Sequence, residues 1–196
     1  MKPFLILHLR TENEASDSEF AAIGYKAGFE AEQVQRIRLD QERLPEGLNL
    51  DDYAGVIVGG GPGCVSDAPE NKTEQEAQIE AEILSLMPQI TGQDHPFMGC
   101  CYGLGILAHH LGGDVSKARY SEPVGPSVCT LMPDGVDDPL LVGLDAEFEV
   151  FVGHKEAVQS TPPGTLHLLG SAPCPVQMIW YGRNVYATQF HPEADA

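Results

Sequence analysis

Basic residues are scarce. Eleven Lys and Arg stand against 29 Asp and Glu, giving a formal net charge of −18 in a chain of 196 residues. A surface of that sign repels nucleic-acid phosphate and anionic bilayers, which excludes both as main partners. Much of the acidity lies between Glu12 and Glu82, where exposed helix faces can carry it. Cysteine is sparse as well. The five, at 64, 100, 101, 129 and 174, are odd in number and lack Cys-x-x-Cys spacing, which argues against a disulfide framework or a zinc ribbon and for a reducing, cytoplasmic setting. No apolar run approaches the ~18 residues of a membrane span, and the one beginning at Phe4 is too short for a signal peptide. A hydrophobic content of 42% at this length suits one domain over residues 1–196.

Metal and phosphate signatures are missing too. His109 and His110 are adjacent, so they cannot act as the i, i+4 ligands of a helical zinc site, and Asp134 to Asp138 lacks the spacing of a calcium loop. No catalytic metal is expected. The glycine run at 59–63 has neither the Lys nor the Ser/Thr of a phosphate loop, and Cys64 stands where a dinucleotide fingerprint needs its last glycine.

What is present centres on Met98-Gly99-Cys100-Cys101-Tyr102-Gly103. A short apolar run enters this segment and a helix-like stretch leaves it. The flanking glycines permit a strained strand-to-helix turn that lifts the side chain of Cys101 into a pocket, over a helix N-terminus that favours the thiolate form of cysteine. Cys100 then falls at the strand end as a small buried residue. Upstream, Val56-Ile57-Val58 runs into Gly59-Gly60-Gly61-Pro62-Gly63, a turn able to present backbone N–H groups to an anion, or to serve as a plain structural turn. Downstream, Phe190-His191-Pro192-Glu193 ends a strand-like run with a base and a carboxylate two residues apart.

Along the chain, strands are expected at Phe4–Leu9, Gln33–Leu39, Gly55–Val58 and Pro96–Met98. Helices are expected at Ser18–Ala27, Glu70–Met87 and Leu104–Leu111, with Thr11 to Asp17 as a loop. Alternation of this kind predicts an α/β fold: a three-layer, doubly wound, mostly parallel open sheet. After Gly113 strands follow one another at Ser127–Leu131, Glu149–Phe151, Leu166–Gly170, Val176–Trp180 and Val185–Thr188, which predicts an antiparallel extension in the C-terminal half.

Gly-Gly-Pro-Gly at 60–63, Gly-x-Cys-x-Gly at 99–103 and Phe-His-Pro-Glu at 190–193 occur in the order found in class I glutamine amidotransferases, and the chain resembles that family over nearly its whole length. It is most similar to stand-alone domains of the GMP synthase type. The resemblance implies a flavodoxin-like sheet, Cys101 as nucleophile, His191 as base and acid, and Glu193 as the group that orients His191. It further implies an oxyanion hole from the N–H groups of Gly61 and Tyr102, and substrate contacts around Gly63, Gly105 and His154. The implied reaction releases ammonia from the γ-carboxamide of glutamine through a thioester, needs no cofactor, and either passes ammonia to a separate synthetase or sets it free. At 105 the family usually has Gln, which holds the amino-acid end of glutamine; Gly105 offers no side chain, so weaker binding of free glutamine is expected. A γ-glutamyl peptide hydrolase and a non-catalytic binding protein are the alternatives. His154 is read as near the rim of the site or as a surface histidine. Glu122 matches the family's Glu-x-Gly segment with one residue extra.

Overall fold

The computed structural model describes residues 1–194. The chain runs β1 (Phe4–His8), α1 (Asn13–Ala27), β2 (Val34–Arg38), β3 (Gly55–Val58), α2 (Glu74–Gln93), β4 (Phe97–Cys100) and α3 (Tyr102–His110). It continues as β5 (Val115–Ser116), β6 (Glu122–Leu131), β7 (Glu147–His154), β8 (Ala157–Val158), β9 (Thr165–Ser171), β10 (Met178–Tyr181) and β11 (Val185–Thr188).

Nine strands form one sheet in the order β2-β1-β3-β4-β11-β10-β9-β6-β7, while β5 and β8 pair separately. From β2 to β11 every pairing is parallel. From β11 outward every pairing is antiparallel. The apolar content of β1 and β3 reflects coverage on both faces, as parallel strands require. Leu5 and Leu7 join Val58, Ile83, Met87 and Leu107 in a core between the sheet and α2 and α3. Side chains alternate along a strand, so His8 reaches the opposite face, where its ring meets Phe20 of α1 edge-on. Helices therefore cover both faces. A second apolar cluster, with Leu168, Met178, Tyr186 and Phe190, packs the antiparallel half.

Expected boundaries shift in both halves: β6 begins at Glu122 rather than Ser127, β7 runs on to His154 rather than Phe151, and two helices change. Residues 13–17 are helical rather than loop, because the inward positions of the first turns of α1 are Ser16 and Glu19, polar residues that conceal the helical period until Ile23. The expected helix Glu70–Met87 runs instead from Glu74 to Gln93 and carries Pro88 inside it. Its start is fixed by a capping box in which Thr73 accepts from the Glu76 N–H and Glu76 returns to the Thr73 N–H.

The order of strands places the functional motifs. β3, β4 and β11 are adjacent and parallel, with Val58 opposite Gly99 and Cys100 opposite Thr188. Their C-terminal ends release Gly59–Gly63, Cys101 and Gln189–Glu193 side by side, at the edge where open α/β sheets bind ligands.

Candidate active site

Cys101 sits between β4 and α3 with φ 53° and ψ −94°. That is the left-handed region, which costs about 1–3 kcal/mol for a residue with a side chain. The turn is fixed on both sides. The Cys101 N–H donates to the Thr188 carbonyl at 2.7 Å, and the Cys101 carbonyl accepts from the N–H groups of Leu104 and Gly105. Gly99 permits it, since a Cβ there would lie 2.7 Å from the Gly103 backbone. Cys100 is 3% exposed, and burial, then the charges of Glu193 and Glu19, push its thiol upward. Cys101 is the more accessible of the two and lines a cleft of about 320 Å³.

His191 follows β11 and is pinned by its N–H to the Phe151 carbonyl of β7. Its Nδ1 lies 2.7 Å from Oε1 of Glu193, which is itself buried. Burial opposes the charged form of the ring, but the neighbouring Cys101 thiol and the hydrogen bond to Glu193 outweigh it and push the imidazole up to about 10. An imidazolium is the partner that a thiolate needs. Gln189 places Nε2 at 3.8 Å from the Cys101 sulfur.

The pairing of His191 with Glu193 has a measurable consequence for stability. The folded ring holds its proton above the ordinary value of 6.5, so the stabilisation is complete below pH 6.5 and is lost as pH climbs through about 10. The difference in Tm between wild type and His191→Gln is expected to shrink across that window. A difference that grows with pH would contradict the charge state.

The glycine turn after β3 is held by a buried network. Oε1 of Glu19, 5% exposed, accepts from the Gly60 N–H at 3.1 Å and from Nε of Arg10 at 3.1 Å, while Oε2 lies 2.9 Å from Nδ1 of His8. Burial raises the Glu19 carboxyl, but the close contact with His8 and the charge of Arg10 prevail and hold it below the ordinary carboxylate range. Gly60 is the close approach: a Cβ there would meet Cε1 of His191 at 2.6 Å and Arg10 at 2.9 Å. Gly61 lies next to it on the wall of the Cys101 cleft. Tyr102 opens α3, where the first N–H groups lack intrahelical partners. Its hydroxyl is turned away onto Glu80 at 3.2 Å.

On the far wall the expectation for His154 changes. It is no surface residue: it is buried, with Nε2 at 3.0 Å from Oε2 of Glu122 and Nδ1 at 2.9 Å from the Glu156 carbonyl. Glu122 also accepts from Gln177 at 2.7 Å and Ser127 at 2.7 Å. The extra residue of the Glu122–Gly125 segment is absorbed as a bulge. Glu122 stands opposite His154 and Gly125 opposite Val152, so Pro123 and Val124 face the single Gly153. Donor atoms of Glu122, His154 and Cys174 lie within 4.8 Å of one another. Burial and then Glu122 push the Cys174 thiol up to about 12, and both Glu122 oxygens are engaged by His154, Gln177 and Ser127, so the set reads as a hydrogen-bond network.

Gly63 and Gly105 both line the cleft, but the space at 105 is not vacant. A Cβ on Gly105 would lie 3.2 Å from Oε1 of Glu156. That carboxylate is anchored by the N–H groups of Val65 at 2.8 Å and Ser66 at 2.9 Å and by the Ser66 hydroxyl at 2.7 Å, so it cannot swing aside. Gly105→Ala is therefore expected to lower stability by about 1 kcal/mol, although alanine is the better helix former. A rise in Tm would show that Glu156 yields.

Sequence reasoning missed Glu19, Glu156 and Gln189. Gln189 had a signal in its alternation with His191 after β11. The other two are single carboxylates whose partners are distant in sequence.

Residues 19–196 match the class-I glutamine amidotransferase family. A glutamine-hydrolyzing GMP synthase of Thermomicrobium roseum is 34% identical over 141 residues, covering 71% of this chain and 23% of that protein. The corresponding enzyme of Aeropyrum pernix is 30% identical over 177 residues, covering 87% and 31%. The chain thus spans about a quarter to a third of the length of these relatives. A crystal structure of a glutamine amido transferase from Methylobacillus flagellatus superposes with a TM-score of 0.76 at 24% identity, covering all of this chain and 72% of that one, which shows the shared fold. No helix among the described residues is long and apolar enough to cross a membrane. With its family match covering nearly the whole sequence, the chain belongs to the class-I glutamine amidotransferases.

Proposed function

We propose that residues 1–196 form one amidotransferase domain that hydrolyses the γ-carboxamide of glutamine through a thioester on Cys101. The observation that carries this is the 2.7 Å contact of His191 with buried Glu193, next to Cys101 on a strained turn at a helix N-terminus.

The Cys101 thiolate attacks the carbonyl carbon. The N–H groups of Gly61 and Tyr102 receive the charge that develops on oxygen. His191 gives its proton to the departing ammonia, then takes one from the water that resolves the acyl-enzyme. Glu193 holds the ring in the productive tautomer throughout. No cofactor enters the cycle. Ammonia passes to a separate synthetase, a reading supported by the similarity to glutamine-hydrolyzing GMP synthases.

Glutamate and ammonia are expected to form in equal amounts from glutamine. Glu193→Gln keeps the shape and removes the charge, and is expected to lower kcat about a hundredfold or more. An unchanged kcat would remove Glu193 from the mechanism. The alternative of a γ-glutamyl peptide as substrate is favoured by a specific feature on the His191 side.

A further inference from the structure

A second cleft, of about 350 Å³, is lined among others by Arg10, Glu19, Val124, Phe151, His191 and Glu193, and not by Cys101. It meets the first cleft at Val124 and Gly153, which line both. Val124 is 78% exposed, although it is a branched apolar side chain. The bulge opposite Gly153 is what raises it there, and a Cβ on Gly153 would touch it at 2.8 Å.

Arg10 is a built feature of this cleft. The chain has 11 basic residues, and this one is held by Nε against Glu19, a carboxylate 5% exposed and braced by His8 and the Gly60 N–H. Glu19 takes one of the five guanidinium donors. The Arg10 side chain remains 32% exposed, beside His191.

His191 must deliver its proton to the departing nitrogen, so that nitrogen lies within hydrogen-bond reach of His191. His191 lines this cleft and another along Phe148 and Phe190, and of the two only this one shares Val124 and Gly153 with the Cys101 cleft, so whatever else the amine carries extends into it. Ammonia carries nothing further and would leave Arg10, Val124 and Phe151 unused.

We propose that this cleft binds the amine half of the substrate, and that the amine it fits is an apolar amino acid, with its carboxylate on Arg10 and its side chain against Val124 and Phe151. The substrate class is then a γ-glutamyl amino acid. This rests on the hydrolase chemistry above. The C–S bond to Cys101 forms, the C–N bond breaks, and the amine nitrogen keeps the electron pair and takes the His191 proton. Water then adds to the thioester, His191 accepts its proton, and the thiolate leaves. The net change is one water consumed, with glutamate and the free amino acid released.

The test compares kcat/KM on glutamine, γ-glutamyl-leucine and γ-glutamyl-leucinamide, the last two differing only in a carboxylate against a carboxamide. Wild type is expected to prefer γ-glutamyl-leucine over the leucinamide about tenfold, the range of a charge-assisted hydrogen bond. Arg10→Gln should bring that ratio near one. Val124→Ser, an exposed change, should lower both leucine compounds about threefold relative to glutamine. Each ratio is taken within one protein, so a general loss of activity does not imitate the effect. If Arg10→Gln fails to fold, the wild-type ratio decides alone. Hydrolysis of glutamine with a wild-type ratio at or below one, or a ratio that survives Arg10→Gln, would overturn the subsite and leave the hydrolase chemistry standing. No turnover of any of the three by wild type would overturn both.

Discussion

Cys101→Ala is expected to lower kcat by about 10,000-fold or more while leaving Tm within a degree or two of wild type. Removing a covalent nucleophile deletes the reaction path rather than one contact along it, and losses of that order follow in other nucleophilic enzymes. Stability should not follow activity. The strained φ of 53° is kept by alanine, and the hydrogen bonds that define the turn are made by the backbone N–H and carbonyl of Cys101, not by its sulfur. The neighbouring substitution makes the contrast. Cys100 is 3% exposed, so Cys100→Ala should reduce stability by about 1 kcal/mol through the small cavity it leaves, with turnover retained. Rate assays and thermal melts on the two variants check this. Comparable activity losses in both would mean that the turn itself, and not the Cys101 thiol, is what matters.

The second large effect is expected where no chemistry resides. Gly60→Ala places a methyl group 2.6 Å from Cε1 of His191 and 2.9 Å from Arg10, distances that van der Waals contact does not tolerate. Something must move. The Gly60 N–H is tied to Glu19 at 3.1 Å, so the turn resists, and the His191 ring is what yields. A displacement of about 1 Å in a reacting group can cost about a hundredfold in rate. Gly60→Ala is therefore expected to lower kcat about a hundredfold, with a change in Tm small beside that loss. Unaltered kcat would show that the ring and the turn adjust together, and that their contact does not position the base.

Much of this architecture could be read from the residues because each piece is announced locally. β3 and β11 were placed to the residue, since each is a short apolar or β-branched run closed by a turn signal. Cys101 was separable from Cys100 because Gly99 and Gly103 frame only one of them. The grouping of Cys101, His191 and Glu193 was legible from motif order and is realised through the adjacency of β4 and β11, a pairing between positions almost ninety residues apart that no local pattern encodes.

What stayed hidden was polar and long-range. The start of α1 was lost because Ser16 and Glu19 occupy its inward positions, and the same Glu19 turned out to hold the glycine turn and Arg10. From sequence His154 falls between rim and surface, because its burial depends on Glu122, 32 residues away, which is held in turn by Gln177. Gly105 illustrates the limit most clearly. From sequence it is a missing side chain; in the fold the space is occupied by Glu156, which arrives from the other wall of the cleft.

The central claim is that Cys101 forms a covalent bond to the acyl group of a γ-glutamyl amide. Intact-mass measurement and peptide mapping after incubation with diazo-oxo-norleucine, an electrophilic glutamine analogue, test it most directly. The account predicts one adduct per chain, on Cys101, with hydrolysis lost in step with labelling and no adduct in Cys101→Ala. An adduct on Cys100, or full glutamine hydrolysis by a chain that is never labelled at Cys101, would contradict it.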